Sequence, residues 1–221
     1  MKPSRPRSHA ALAFLGAIAA AGLVGGCNNI FRNHYNVLVD AICAPGTTKP
    51  SGKSYRLVAK RSVVSSTPVQ IPVIKACVDA ALASAGMFEP PPNVPPDLVI
   101  EVTYGRDSAP RMDPATRETF LQLSARTNPE GALDKATGPE IWDVKASLLG
   151  VNGPVEAAMP MLASVAVEHI ATDTSRETHI DVPQNSPTVE AIRQAALKAL
   201  DKASAAATSS APAAAPPAPR S

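Results

Sequence analysis

Four side chains of the types that bind metal ions flank one polar turn in the second half of the chain: Glu168, His169, His179 and Asp181. Residues 162–170 and 177–182 are predicted to form a hairpin around that turn. In this hairpin Glu168 lies opposite His179, while His169 points to the other face. A closed zinc site needs four converging ligands. We therefore predict an exposed cross-strand pair of Glu168 and His179 and no metal site.

Other arrangements that are typical of catalysis are also missing from the sequence. The chain has no Gly-x-Ser-x-Gly motif, in which a sharp turn exposes a serine nucleophile, and no glycine motif for phosphate or dinucleotide binding. Four carboxylates show no spacing that would pair an acid with a base: Asp97, Glu101, Asp107 and Asp113. The sequence predicts a protein that is not an enzyme, with no catalytic residues and no cofactor.

Two of the three cysteines could meet inside the fold. Cys43 ends a strand-like segment, and Cys77 lies on the apolar side of a helical pattern. An oxidising compartment would permit a disulfide between them where the helix packs on the strand. Two buried free thiols are the alternative, and the spacing does not decide between the two.

The first 26 residues have the three zones of a secretory signal peptide. Lys2, Arg5 and Arg7 form a basic start, residues 10–24 are apolar and uncharged, and two glycines precede Cys27. The apolar segment is shorter than the roughly 20 residues that a membrane-spanning helix needs. We therefore predict a leader that is removed.

The segment Leu23-Val24-Gly25-Gly26-Cys27 resembles the lipobox of bacterial lipoproteins. The resemblance implies cleavage before Cys27, a diacylglycerol on its thiol and an acyl chain on the new amino group. Several acyl chains on one residue give stable membrane attachment, whereas one chain gives marginal binding. Asn28 stands where an aspartate commonly retains such proteins at the inner membrane. The resemblance thus implies the outer membrane, on the periplasmic side. The alternative is an ordinary signal peptide before an unmodified cysteine.

The charge of the mature chain is close to neutral. The sequence has 21 basic and 19 acidic residues, and removal of the leader takes away three basic residues, which leaves 18. No basic block remains, which argues against a nucleic-acid partner and against polybasic binding to lipid headgroups. We expect the acyl chains on Cys27 to attach the protein to the membrane.

Composition divides the mature chain into three parts. Residues 27–34 form a lipidated tether, and residues 35–203 are long enough for one domain with a hydrophobic core. Residues 204–221 consist almost wholly of alanine, proline, serine and threonine. Such a segment buries too little apolar surface to offset the entropy of ordering, so we predict a disordered tail.

Hydrophobic patterning within the domain predicts more strands than helices. The predicted strands are residues 35–42, 54–60, 98–105, 119–124, 141–151, 162–170 and 177–182. One helix begins near Pro72 and stops at Gly86, and another extends from Pro187 to about residue 203. Trp142, the only tryptophan, is expected in the core, although it could line a pocket. The fold class is α+β, a mainly antiparallel sheet with two helices packed on one face.

The order of these elements resembles the bacterial lipoproteins grouped as domain of unknown function 4136. The matching features are Gly52-Lys53-Ser54-Tyr55, the helix that ends at Gly86, the strand Pro96-Asp97-Leu98-Val99-Ile100, and the last hairpin and helix. Many members carry a tryptophan after the last hairpin turn, where this chain has Arg176-Glu177-Thr178. The resemblance covers roughly residues 35–203 and implies no particular activity.

Three hypotheses of function remain open. The first is a non-catalytic envelope lipoprotein that binds a protein partner through its sheet. The second is a carrier of a small molecule or lipid in a cleft between sheet and helices, and the third is an enzyme. An uncovered apolar face or edge favours the first, and an enclosed apolar cavity of several hundred cubic ångströms favours the second.

Overall fold

The computed structural model describes residues 34–59, 71–106, 117–133, 135–151 and 153–209. These residues form six strands: β1 (His34–Cys43), β2 (Tyr55–Ala59), β3 (Leu98–Arg106), β4 (Glu118–Thr127), β5 (Glu140–Leu149) and β6 (Thr178–Pro183). They form three helices: α1 (Ile71–Ser84), α2 (Val155–Glu168) and α3 (Pro187–Ser209). The α+β class is confirmed. The signal peptide, Cys27 and residues 210–221 lie outside the described residues.

All six strands belong to one sheet with the order β2-β3-β4-β5-β1-β6. The pairs β3–β4, β4–β5 and β1–β5 are antiparallel, whereas β2 is parallel to β3. A parallel pair needs a crossover connection, and α1 lies within the connection between β2 and β3. In this strand order β1 and β2, which follow each other in sequence, are separated by three other strands.

The chain after α2 returns beside β1 in the opposite direction. The backbone N–H of Thr174 donates to the carbonyl of Ala41 at 2.9 Å. The Nδ1 atom of His179 lies 2.9 Å from the amide oxygen of Asn36. These contacts place β6 at the edge of the sheet next to β1.

The core lies on one face of the sheet. Thr119, Leu121, Leu123 and Ala125 of β4 are fully buried, while the residues between them are partly exposed. Helix α2 packs on β4 and β5, and α1 and α3 pack against α2 and against each other. Trp142 of β5 is 1% exposed, as predicted for a core residue.

The prediction of a hairpin from residues 162–170 and 177–182 is wrong, because residues 155–168 form the helix α2. Every residue of α2 from Ala158 to Val167 is buried. A helix that is covered on nearly all sides is apolar around its circumference, so this segment lacks the one-sided pattern of a surface helix. Pro160 lies inside the helix, where proline usually interrupts helical structure. The domain therefore has three helices where two were predicted.

Both remaining helices occur where the sequence predicted them. Helix α1 ends just before Gly86, whose φ of 81° is a conformation that glycine adopts without strain. Helix α3 begins at Pro187 and continues to Ser209, which is beyond the predicted start of the tail at residue 204.

A buried tyrosine connects β2 to α1. The side chain of Tyr55 is 2% exposed, and its hydroxyl donates to Asp79 at 3.0 Å. Lys75 donates to Asp79 at 2.7 Å and to Glu89 at 2.9 Å. Burial, followed by the charge of Asp79, raises the pKa of Tyr55 well above its ordinary value, so the hydroxyl stays a proton donor. Hydrogen bonds to Asp79 and Glu89 outweigh burial and raise the pKa of Lys75.

The substitution Tyr55→Phe should lower the free energy of unfolding by about 1–2 kcal/mol, since it removes a hydrogen bond to a charged acceptor and keeps the ring. Urea denaturation measures this change. Tyr104→Phe is the matched control, because no hydrogen bond of the Tyr104 hydroxyl is found within the described part of the chain. Equal stability of Tyr55→Phe and the unsubstituted protein would contradict the assigned role.

Candidate functional site

Three chain connections emerge together at one end of the sheet. The pairing of Cys43 with Trp142, of Tyr55 with Leu98 and of Leu98 with Thr127 sets these residues at the same end. We call this the loop end. The opposite end contains the first residue of β1, and we call it the His34 end.

A cleft of about 700 Å³ lies among the connections at the loop end. Its walls are residues 46–53, which connect β1 to β2, residues 95–97 before β3, and residues 127–131 after β4. Leu98 and Ile141 supply apolar side chains to its lining. The volume falls within the range of about 300–1,000 Å³ that is typical of ligand sites. We call this the loop-end cleft.

Asp97 joins two walls of the loop-end cleft. One of its carboxylate oxygens accepts the backbone N–H of Ser54 at 2.8 Å and the hydroxyl of Ser54 at 2.7 Å. The backbone N–H of Asp97 donates in return to the Ser54 hydroxyl oxygen at 2.9 Å. The Ser54 backbone N–H, followed by its hydroxyl, holds the pKa of Asp97 below its ordinary value, with a smaller contribution from Lys53. Asp97 is therefore an ionised structural group at neutral pH.

Asn128 fixes the third wall. It is 7% exposed, and its amide nitrogen donates to the carbonyls of Pro96 and Ala132 at 2.9 and 2.8 Å. Its amide oxygen accepts the backbone N–H of Ala132 at 3.1 Å and the hydroxyl of Thr137 at 3.2 Å. Since both ends of the amide are bonded, the connection from β4 to β5 is fixed against residues 95–97 before any ligand binds.

Two lysines give the loop-end cleft positive charge. The ammonium group of Lys53 lies 3.9 Å from Asp97, and that of Lys49 donates to the backbone carbonyl of Glu168 at 3.3 Å. Both contacts are exposed and long, so they hold the lysines weakly. Asp97, the one carboxylate in the cleft lining, is already bonded to Ser54. The lining therefore has two weakly held cations and one carboxylate, which stays ionised and is held by Ser54.

A second cleft, of about 400 Å³, adjoins the first along residues 49–51. Its other walls are the end of α1, residues 164–170 of α2 and the turn after it, and Thr188 at the start of α3. We call this the helix-end cleft. By contrast, an apolar cavity near Ile71 and Val102 measures only about 70 Å³.

The pair predicted from Glu168 and His179 does not form. Glu168 is the last residue of α2, whereas His179 belongs to β6 and contacts Asn36. The prediction failed because it depended on the hairpin that the structure replaces with a helix. Within the described residues, no group of three or more histidine, cysteine, aspartate or glutamate side chains could hold a metal ion.

Cys43 and Cys77 are both free thiols in the structure. Cys77 is buried on α1, and burial raises its pKa to about 11, although Arg193 acts in the opposite direction. Cys43 is partly exposed and pairs across the sheet with Trp142.

The loop-end cleft is not evident from the sequence. Asp97 stands there as one of several scattered carboxylates and within the resemblance to a lipoprotein family, and no sequence signal links it with Ser54 or Asn128. These residues are distant in sequence, and only the register of β2, β3 and β4 brings them together. The usable signal was an aspartate directly before a strongly alternating strand.

Comparison with known proteins adds little. The chain matches no protein-family model and no curated protein sequence. Two crystal structures of the PelC dodecamer from Paraburkholderia phytofirmans, one of them a point variant, share 12% and 10% identity with this chain. Each superposition covers 62% of this chain and 98% or 99% of the PelC chain, with a TM-score of 0.39. A likeness this weak supports no inference about the present protein.

Helices long and apolar enough to cross a membrane are not found in the part of the chain that the structure describes.

Asp97→Asn should make stability less dependent on pH. A carboxyl group with a lowered pKa contributes stability above its unfolded pKa of about 3.9 and loses that contribution as pH falls. At pH 7 we expect the variant to be less stable by about 1 kcal/mol, a small value because the carboxylate is half exposed. The difference should shrink towards pH 3. Urea denaturation at the two pH values measures it, and a gap of the same size at both would contradict the assigned role of Asp97.

Proposed function

We propose that this protein is a periplasm-facing envelope lipoprotein of the outer membrane, anchored through acyl chains on Cys27. It acts without catalysis, by presenting the loop-end cleft and its surrounding loops to another envelope component. The observation that carries the proposal is the position of the cleft: it lies at the end of β1 that is opposite to the end nearest Cys27 in the chain. The resemblance to lipoproteins of domain of unknown function 4136 agrees with the anchor.

Chain length limits how far the domain can lie from its anchor. Residues 28–33 separate Cys27 from His34, the first residue of β1. An extended chain advances at most about 3.5 Å per residue, so His34 stays within about 25 Å of Cys27. Strand β1 then continues for ten residues before the loop end, a length of roughly 33 Å. We propose that the membrane lies near the His34 end and that the cleft faces away from it.

Exposed apolar side chains at the loop end support a contact function. Val94 and Leu133 are 42% and 41% exposed, and each is close in sequence to residues that line the loop-end cleft. Ile42, near the end of β1, is 61% exposed. Exposed apolar side chains that are grouped on one part of a surface mark candidate sites for binding other proteins. The loops that carry Val94 and Leu133 are held by Asp97 and Asn128, so binding would require little ordering of the chain.

The helix-end cleft favours a second candidate function, a carrier of a small molecule or lipid. Its volume of about 400 Å³ is sufficient for a small ligand, and its lining includes Val167 and Ile170, which are largely buried in the core. The two functions can be distinguished by native mass spectrometry of the purified protein. A lipid or small molecule retained in the spectrum would favour the carrier, and crosslinking in intact cells to one defined envelope protein would favour the contact function.

The anchor is tested by intact-mass measurement of the protein purified from membranes. The mature chain should begin at Cys27 and carry the mass of a diacylglycerol and an added acyl chain. Cys27→Ser should lose this mass and leave the membrane fraction, whereas Cys43→Ser, the matched control, should keep both. A mature protein with an unmodified Cys27, or membrane attachment that survives Cys27→Ser, would overturn the proposal.

A further inference from the structure

We propose that the loop-end cleft binds a short, extended, acidic peptide segment of an envelope protein, with its carboxylates at Lys49 and Lys53. This inference rests on the proposed function, since it names the class of partner that the cleft would accept. It begins from the electrostatics of the cleft. The lining contains two ammonium groups and a single carboxylate, that of Asp97.

The two lysines remain available to a ligand. Lys53 is 57% exposed, and 3.9 Å is too long for a strong ion pair with Asp97. The single contact of Lys49, at 3.3 Å to the carbonyl of Glu168, uses one of its three N–H donors. Ser54 donates two hydrogen bonds to one oxygen of the Asp97 carboxylate, and the other oxygen lies 3.9 Å from the ammonium group of Lys53, beyond hydrogen-bond distance. A carboxylate in the cleft would therefore find donors that the protein itself leaves largely unused.

The remaining lining favours a peptide over a carbohydrate. Prolines line the cleft on all three walls: Pro50, Pro95, Pro96 and Pro129. Together with Leu98 and Ile141 they offer apolar contacts to small side chains. The hydroxyls of Thr48 and Ser51 can bond to the peptide backbone. Aromatic rings, on which sugar rings commonly stack, are not among the residues that line this cleft.

Rigid walls make the cleft suitable for an extended segment. Asp97 fixes the second wall to Ser54, and Asn128 fixes the third wall to Pro96. The hydroxyl of Thr47 donates to the carbonyl of Ile141 at 3.3 Å, which holds the first wall against β5. A cleft whose walls are already ordered loses less conformational entropy on binding than a flexible one, so fewer contacts are needed for recognition.

The test uses the acylated full-length protein in nanodiscs of phosphatidylcholine, a lipid without net charge. The probe is a fluorescein-labelled peptide of alternating glutamate and alanine, and fluorescence anisotropy measures its binding. The double variant Lys49→Gln and Lys53→Gln should weaken binding about tenfold, as expected for the loss of two exposed charge pairs. The matched control is Lys198→Gln with Lys202→Gln, two exposed lysines of α3, and it should change binding less than twofold.

Three results would overturn the inference. Equal weakening by both double variants would show general charge attraction with no defined site. Unchanged binding by the Lys49 and Lys53 variant would exclude the cleft, and tighter binding of oligogalacturonate than of the peptide would indicate an acidic glycan. The proposed function is tested separately: the acyl mass and the membrane fraction of each variant are measured on the same preparations, so loss of the anchor and loss of peptide binding can be distinguished.

Discussion

The antiparallel pairing of β1 with β5 determines the geometry of this protein. Val37 pairs with Leu148 and Cys43 with Trp142, so the first and last residues of β1 lie at opposite ends of the sheet. The same register extends through β5, β4 and β3, and it collects the connections before β2, before β3 and after β4 at the loop end. The direction of one strand thus separates the side where the chain enters the domain from the side where the cleft forms.

The core explains how the loops are held in place. Alternation in the central strands directs one set of side chains to a single face, where α2 covers β4 and β5 and is itself covered by α1 and α3. Burying most of α2 gives the domain a layered core on one side. At the loop end the connections depend instead on polar bonds, above all those of Asp97 with Ser54 and of Asn128 with Pro96. Apolar packing stabilises the sheet, and the hydrogen bonds of Asp97 and Asn128 stabilise the walls of the loop-end cleft.

Much of the fold could be predicted from local sequence. Strand β3 has apolar residues at alternate positions from Leu98 to Tyr104, and α1 has a one-sided apolar pattern and a terminating glycine at Gly86. Helix α2 could not be recognised, because a helix that is covered on nearly all sides has no polar stripe, and Pro160 resembles a break. The parallel pairing of β2 with β3 was also hidden, since it depends on a crossover and not on a neighbouring turn.

The candidate site was less accessible to sequence reasoning than the fold. A cleft built from three separate connections has no contiguous motif, and the role of Asn128 depends on contacts with residues 96, 132 and 137. The segment that resembles a lipobox, Leu23–Cys27, is by contrast contiguous, so the resemblance is visible in the sequence without the fold. The sequence therefore offered a motif for the proposed attachment and none for the cleft.

The central claim of the proposal is that acyl chains on Cys27 attach the domain and that its loop end faces away from the membrane. Two exposed leucines form a matched pair of probe positions: Leu149, 51% exposed at the His34 end, and Leu133, 41% exposed in the connection after β4. Each is replaced by cysteine in a Cys43→Ser background, labelled with a fluorophore, and measured in vesicles whose lipid headgroups carry a nitroxide quencher. Strong quenching at position 149 and weak quenching at position 133 is the predicted result. Equal quenching, or stronger quenching at position 133, would contradict the account.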